Sequence, residues 1–388
     1  MRQYVKVENR LFQGDFMNIA NGTKNTLKND RQLFKGIIKR LKIYTKKGSK
    51  TKVCGRRRIL DIARHLYKIE PSACVNIETT PANKIAEADK LLLLGTPWDN
   101  NTIWDLLEQR GETNRAVRAD RPGELHFELS QTFGVNPNLN LAFESVYHNF
   151  YHRTWYAYPL IVAVSQAQRM GIKELTVIEF GVWQGDGLLN LASLCEMLTS
   201  CTSINFRVVG FDTGAGLPNV TDYRDHPELW YTGELKMPNI DKLRRSLPDN
   251  CELIIGDIAN TLSPFVENLI AEAPIGFVAL DVDTYSSSVA ALNLFEIPAD
   301  FLLPVVPIYV DDSYVNISQS NFTGEALAIN EFNKDHELRK IDHKIIVRPD
   351  RELLPWQVGS MYFAHIFDHP VRAGEGNCTF IGIDVHKL

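Results

Sequence analysis

The stretch Leu175-Thr176-Val177-Ile178-Glu179-Phe180-Gly181-Val182-Trp183-Gln184-Gly185-Asp186-Gly187 decides how this chain is read. Leu175 to Phe180 is a short, mainly apolar run of strand length, and the apolar window Leu188–Leu198 beyond the glycines has helical character. A strand that turns through glycine straight into a helix opens a βαβ unit. Glycines at 181 and 185 let backbone approach a ligand closely, and Glu179 places a carboxylate at the turn. The spacing G-x-x-x-G-x-G differs from the G-x-G-x-x-G of dinucleotide folds. Standing alone, it is no more than any tight strand-to-helix turn needs.

Outward from this stretch the pattern repeats. An aromatic-rich helix, roughly Leu141 to Met170, precedes it and stops at Gly171. Apolar runs at Phe206–Phe211, Glu252–Ile255, Gly276–Leu280 and Val305–Val310 follow, separated by helical windows. This alternation predicts a doubly wound, mostly parallel α/β sheet over residues 136–388. Lys344–Val347 and Ser360–Phe367 are expected to add a closing antiparallel hairpin at one edge.

Ligands of such sheets bind beyond the carboxyl ends of the strands, and here those ends are acidic. The second strand ends at Asp212, before Gly216-Leu217-Pro218; one ionised carboxylate can accept both hydroxyls of a ribose. The third ends at Gly256-Asp257-Ile258, a polar group beside an apolar one, which suits the edge and face of adenine. Taken singly, either aspartate is as well explained as a helix N-cap. The fourth ends at Asp281-Val282-Asp283-Thr284-Tyr285 and the fifth at Asp311-Asp312. Adjacent strands would gather three or four carboxylates, and like charges so close imply a hard divalent cation, best magnesium. The competing explanation is helix capping, for which Ser286–Ser288 are also at hand.

In this order the motifs resemble those of the macrocin O-methyltransferase-like enzymes. Those are class I methyltransferases with a Rossmann-like sheet that use S-adenosylmethionine and magnesium. The matching residues are Glu179, Phe180, Gly181, Val182 and Gly185; then Phe211, Asp212 and Gly216-Leu217-Pro218; then Leu280, Asp281, Asp283, Tyr285 and Ser287. Asp311, Asp312 and Tyr314, and finally Glu325, Ala326, Glu331 and Phe332, complete the series. The resemblance covers roughly residues 140–367. It implies that Glu179, Gly181 and Gly185 cradle the methionine part of the cofactor, that Asp212 holds the ribose, and that Asp257 lies near the adenine. It further implies Asp283, Asp311 and Asp312 as magnesium ligands, with Asp281 as the alternative first ligand and otherwise a cofactor contact. Pro304-Val305-Val306-Pro307 stands where the family usually has a glycine pair, and Ser286 replaces a common acidic residue.

The expected activity is O-methylation of a hydroxyl on a sugar or natural-product-like acceptor. Magnesium would lower the hydroxyl's pKa, the methyl group would move in line, and Asp283 would take the proton. The rivals are a metal-dependent nucleotide-sugar glycosyltransferase, which would use Asp281-Val282-Asp283 but leaves the glycine turn unexplained, and a nicotinamide dehydrogenase, whose glycine spacing is absent. A methyltransferase fold kept as a non-catalytic binding module is the third.

The chain's 388 residues, 44% hydrophobic and 23% charged, give room for two domains and exclude a disordered or fibrous protein. No stretch approaches the roughly 20 continuous apolar residues of a membrane span. The opening residues lack a leader's apolar region, and the six cysteines form no CxxC pair. A reducing, cytoplasmic compartment is therefore expected. Charge is uneven: residues 1–58 hold 17 Lys and Arg against 3 Asp and Glu, leaving a net −19 on the remainder of a chain whose total is −5. That basic arm has one amphipathic window, Leu33 to Leu41 behind Asp30, then a basic loop from Lys46 to Arg58. It suits an anionic surface or the acidic body itself. Residues 59–135 are expected to be a mainly helical extension, with apolar periodicity at Ile59–Tyr67 and Ile85–Leu94. The expected partners are a small-molecule or glycan acceptor, an anionic surface for residues 1–58, and a second copy in a homo-oligomer.

Overall fold

The computed structural model describes residues 51–55, 60, 74–77, 79–88, 90–93, 97–112, 116–118, 139, 142, 146, 153–313, 317–344 and 360–373. They fall into two compact units that divide near Ala116.

The smaller unit carries strands β1 (Thr51–Gly55), β2 (Cys74–Asn76) and β3 (Lys90–Leu93), and β4 (Ala116–Arg118) falls on the division; the sheet order is β2-β1-β3-β4, with β1 parallel to β2 and β3. Helices α1 (Ala82–Ile85) and α2 (Pro97–Gln109) accompany them, around a small core of Cys54, Ile85, Leu91, Leu93, Ile103 and Leu107. The helices expected here thus share the segment with a sheet. Thr51–Gly55 falls in the expected basic loop, and Lys90–Leu93 in the window expected to be helical. Runs of three to five residues are too short for periodicity to tell a strand from a turn of helix. The amphipathic window Leu33–Leu41 lies outside the described residues.

The larger unit is the expected α/β sheet. In chain order it comprises α3 (Thr154–Met170), β5 (Glu174–Phe180), α4 (Asp186–Thr202), β6 (Asn205–Asp212), α5 (Ile240–Ser246), β7 (Cys251–Ile255) and α6 (Ile258–Val266). There follow β8 (Ile275–Leu280), α7 (Tyr285–Leu292), β9 (Val305–Val310), α8 (Gly324–Asp335), β10 (Arg339–His343) and β11 (Met361–Ile366). The strand order is β10-β11-β9-β8-β5-β6-β7, parallel throughout except that β11 runs against both neighbours. This is a doubly wound, mostly parallel Rossmann-like sheet with a closing antiparallel pair at one edge.

Central strands covered on both faces need apolar residues at every position, and β8 and β9 are buried along their whole length. Phe180, Phe211 and Phe277 are among the largest fully buried side chains. Phe180 packs on Phe211 at 5.0 Å between ring centroids, and Phe211 on Phe265 at 5.2 Å. Each such ring contributes about 2–3 kcal/mol by leaving water. The chain order reverses at β5, which pairs with β6 on one side and β8 on the other. That switch point opens a crevice at the carboxyl ends of the strands.

Two boundaries differ from the expected ones. The long helix is interrupted: Leu139, Ala142 and Val146 are helical, but Arg153 takes a left-handed conformation (φ 51°) and α3 starts afresh after it. Its end at Gly171 (φ 74°) is as expected. The hairpin's outer strand is Arg339–His343, of which only Ile341 is buried, so its apolar signal is a single residue; of the expected Lys344–Val347, all but Lys344 lies outside the described residues.

Candidate functional site

A pocket lies at the switch point. Glu179 and the turn Gly181, Val182, Trp183 and Gln184 line it from β5, Phe211, Asp212 and Thr213 from β6, and Asp281, Val282 and Asp283 from β8. Leu217, Pro218 and Ile258 add an apolar wall, and Arg153 faces in from the start of α3.

The glycine turn is shaped by close approach. Gly181 has φ +87°, and a Cβ there would lie 1.6 Å from the backbone oxygen of Asp281, so the ends of β5 and β8 meet where no side chain fits. Gly185 (φ +90°) is not part of the pocket wall. A Cβ on it would run into Leu243 at 2.3 Å, so its part is to turn the chain into α4.

Asp212 reaches across from β6 to hold this turn. Its Oδ2 accepts the backbone N–H groups of Val182 (3.0 Å) and Trp183 (2.8 Å), and its Oδ1 that of Gly214 (2.6 Å). Asp257 is exposed, lies off the pocket wall, and accepts from the N–H of Ala259 at 2.9 Å as the N-cap of α6. Its neighbour Ile258 is the residue that enters the pocket. An Asp before a helix satisfies an orphan N–H whether or not a ligand is near.

Glu179 is buried beneath the first turn of α4, where a Cβ on Gly187 would touch its Oε1 at 1.9 Å. Oε1 accepts the hydroxyl of Tyr156 at 2.7 Å, while Oε2 is buried without a partner. Burial pushes this carboxyl up to about 7, against the opposing pull of Arg153 and the Tyr156 hydrogen bond.

The acidic ends of β8 and β9 do come together. Asp281 is pushed well up by burial and by the charges of Asp311 and Asp283. Asp283 is pushed up to about 9 by burial, by a hydrogen bond to Asp312 and by the charges of Asp312 and Asp311. Asp311 accepts the hydroxyl of Tyr309, and Asp312 accepts the side-chain amide of Gln319 at 3.0 Å. Glu325, fully buried at the start of α8, accepts the N–H of Asp312 at 2.8 Å and that of Val282 at 3.3 Å, tying the two acidic loops together.

These oxygen donors fit magnesium, which takes one or two carboxylates and fills its shell with water and substrate oxygens. The fit rests on Asp283 and Asp312, which touch, with Asp311 turned to Tyr309. Among the described residues no three His, Cys, Asp or Glu side chains are grouped as ready-made metal ligands.

Four non-glycine residues with left-handed backbone line this one pocket: Arg153 (φ 51°), Trp183 (φ 47°), Leu235 (φ 58°) and Asp283 (φ 63°). Such conformations persist only where the surroundings over-determine them, and they concentrate at functional sites. The sequence marked Asp283 through its motif, while Trp183 stood at an unassigned position of the glycine turn. The sequence gave no sign of Arg153 or Tyr156, which lie in a stretch read only as an aromatic-rich helix. Nor did it mark Asp225, whose Oδ1 accepts the N–H of Ser286 (2.9 Å) across 61 residues.

No protein-family model and no curated protein matches this chain. Solved structures similar to it include the O-methyltransferase NovP, at 16% identity over 53% of this chain and 77% of that one, with a TM-score of 0.38. The calicheamicin methyltransferase CalS11 is 20% identical over 69% of this chain and 92% of that one, also at 0.38. An O-methyltransferase from Bacillus cereus, in complex with SAH, is 13% identical over 59% and 90%, at 0.31. At these values the likeness bears on neither substrate nor cofactor, and function has to come from the chemistry of the pocket.

Proposed function

We propose that this protein is an S-adenosylmethionine-dependent, magnesium-assisted O-methyltransferase acting on a hydroxyl of a sugar or natural-product-like acceptor. The observation that carries the reading is the single pocket into which Glu179, Gly181, Asp212, Asp281 and Asp283 all converge, beside the apolar wall of Leu217, Pro218 and Ile258. Its acidic and apolar groups follow the order of the strands, as an extended nucleoside with a charged tail requires. Glu179, Gly181 and the turn closed by Gly185 would take the methionine part. Asp212, next to the turn it holds, would take the ribose, and Ile258 an adenine face.

Asp283 and Asp312 would hold magnesium, with Asp311 beside them; the ion, when bound, supplies a lowered pKa at an acceptor hydroxyl. The chain's own contribution is positioning. Gly181 lets β5 and β8 close on each other, Glu325 fixes the two acidic loops through their backbone, and Asp283 in its ionised form accepts the hydroxyl proton.

The test is ligand-dependent stabilisation. A ligand present at about 100 times its Kd adds roughly 2.7 kcal/mol, which a thermal melt resolves. S-Adenosylhomocysteine, a UDP-sugar and NAD are compared, each with and without magnesium. Stabilisation by S-adenosylhomocysteine alone supports the proposal; stabilisation by the UDP-sugar instead would replace it with a glycosyltransferase.

A further inference from the structure

Arg153 stands at the mouth of α3, which packs against β8 and β9, so it enters the pocket from the side opposite β7 and Ile258. Its left-handed backbone is unusual for a long side chain, and it aims the guanidinium at a wall that also holds Glu179 and Asp281. Among the described residues, that guanidinium makes little use of its donors. Nη1 reaches the Tyr156 hydroxyl at 3.5 Å, the group lies 5.2 Å from the centroid of the same ring, and Nε is buried with no partner. No carboxylate lies within ion-pair distance of it among the described residues, although Glu179 and Asp281 are close enough to act on its charge.

The same pocket contains the complementary orphan, since Glu179 Oε2 is buried and unpartnered. A buried donor or acceptor left unmade costs about 1–3 kcal/mol. A fold that carries one of each, side by side and not paired with each other, is built for a ligand that carries both charges. A guanidinium matches a carboxylate in a two-pronged geometry, and a carboxylate matches an ammonium.

We infer that Arg153 binds the carboxylate of an α-amino-acid group on the pocket's ligand, with Glu179 on the ammonium side. This rests on the cofactor reading above, in which the group is the methionine end of S-adenosylmethionine. Arg153 is then a binding and positioning residue that sets where the methyl-bearing sulfur stands between the ribose at Asp212 and the acceptor at Asp283. A purely structural role, as counter-ion to Glu179 and Asp281, makes a different prediction.

The two are separated by calorimetric titration of S-adenosylmethionine and of decarboxylated S-adenosylmethionine, which keeps the ammonium and lacks only the carboxylate. The whole chain should prefer the parent compound by at least about tenfold. In Arg153→Gln that preference should shrink to within about twofold, while affinity for the decarboxylated ligand stays within about threefold of the parent protein's. Arg153→Lys, which keeps the charge but not the fork, should fall between. A preference that survives in Arg153→Gln, or equal weakening of both ligands, overturns the inference and leaves the cofactor reading standing. A preference below twofold in the unaltered protein overturns it without any variant, whatever the variant's folding. If the unaltered protein binds neither adenosyl compound, the cofactor reading falls first and the inference with it.

Discussion

The carboxylate of Asp212, at the end of β6, accepts the backbone N–H of Trp183 at 2.8 Å, and so pins the glycine turn of β5 to the neighbouring strand. Trp183 holds a left-handed backbone at that point. The contact joins the two strand ends that the proposed cofactor has to bridge. Asp212→Ala should therefore remove most of the thermal stabilisation by S-adenosylhomocysteine. Asp257→Ala is the contrast, since Asp257 caps α6 and lies off the pocket wall. It should cost about 1 kcal/mol of stability and leave the ligand-induced shift unchanged. An equal loss of the shift in both variants would return Asp257 to the site.

Gly181→Ala tests the close approach of β5 and β8. The added Cβ would lie 1.6 Å from a backbone oxygen, at a φ that L residues rarely adopt. Neither partner is a flexible side chain, so the strand ends must separate. Urea unfolding should show a loss of about 3 kcal/mol or more, beyond the 1–3 kcal/mol of an unfavourable backbone alone. A loss under 1 kcal/mol would mean that the two strand ends are looser than described.

Glu179 sets a pH dependence. Burial raises its folded-state carboxyl from the ordinary 4.5 to about 7. Between those values the folded state binds more protons than the unfolded state, so the stability this group permits is complete below about 4.5 and falls until about 7. Glu179→Gln cannot titrate. Its stability relative to the parent should rise by roughly 3 kcal/mol from pH 4.5 to pH 7, at 1.36 kcal/mol per unit, and then level off. Denaturant midpoints across that range provide the check, and parallel curves would show that burial leaves the Glu179 carboxyl at its ordinary value.

Asp312→Asn keeps the shape of the side chain and removes one charge from the cluster around Asp283. Manganese, as a paramagnetic stand-in for magnesium, should bind at least about tenfold more weakly by electron paramagnetic resonance. Affinity for S-adenosylhomocysteine should stay within about twofold, because none of its proposed contacts comes from the end of β9. Manganese binding untouched by Asp312→Asn, and again by Asp311→Asn, would remove both residues from the metal site.

The sheet was legible in the chain because its cause is local. Val305–Val310 and Gly276–Leu280 are apolar at every position, since central parallel strands are covered on both faces, and their limits agree with the observed strands to within a residue. Gly181 and Asp212 were legible for the same reason: a turn and a strand end need those residue types whatever lies elsewhere. What the sequence could not decide is which side chains meet. Asp257 satisfies its own helix, and the same residue type at the same place in the pattern would serve a ligand equally well. Arg153 is an ordinary residue of a helical stretch until α3 packs on β8 and β9 and turns it toward Glu179. Glu325 joins two loops from 13 and 43 residues away, a separation no local period records. Propensity and periodicity report what each segment does with its own backbone. Partnership among buried charges exists only once the strands lie side by side.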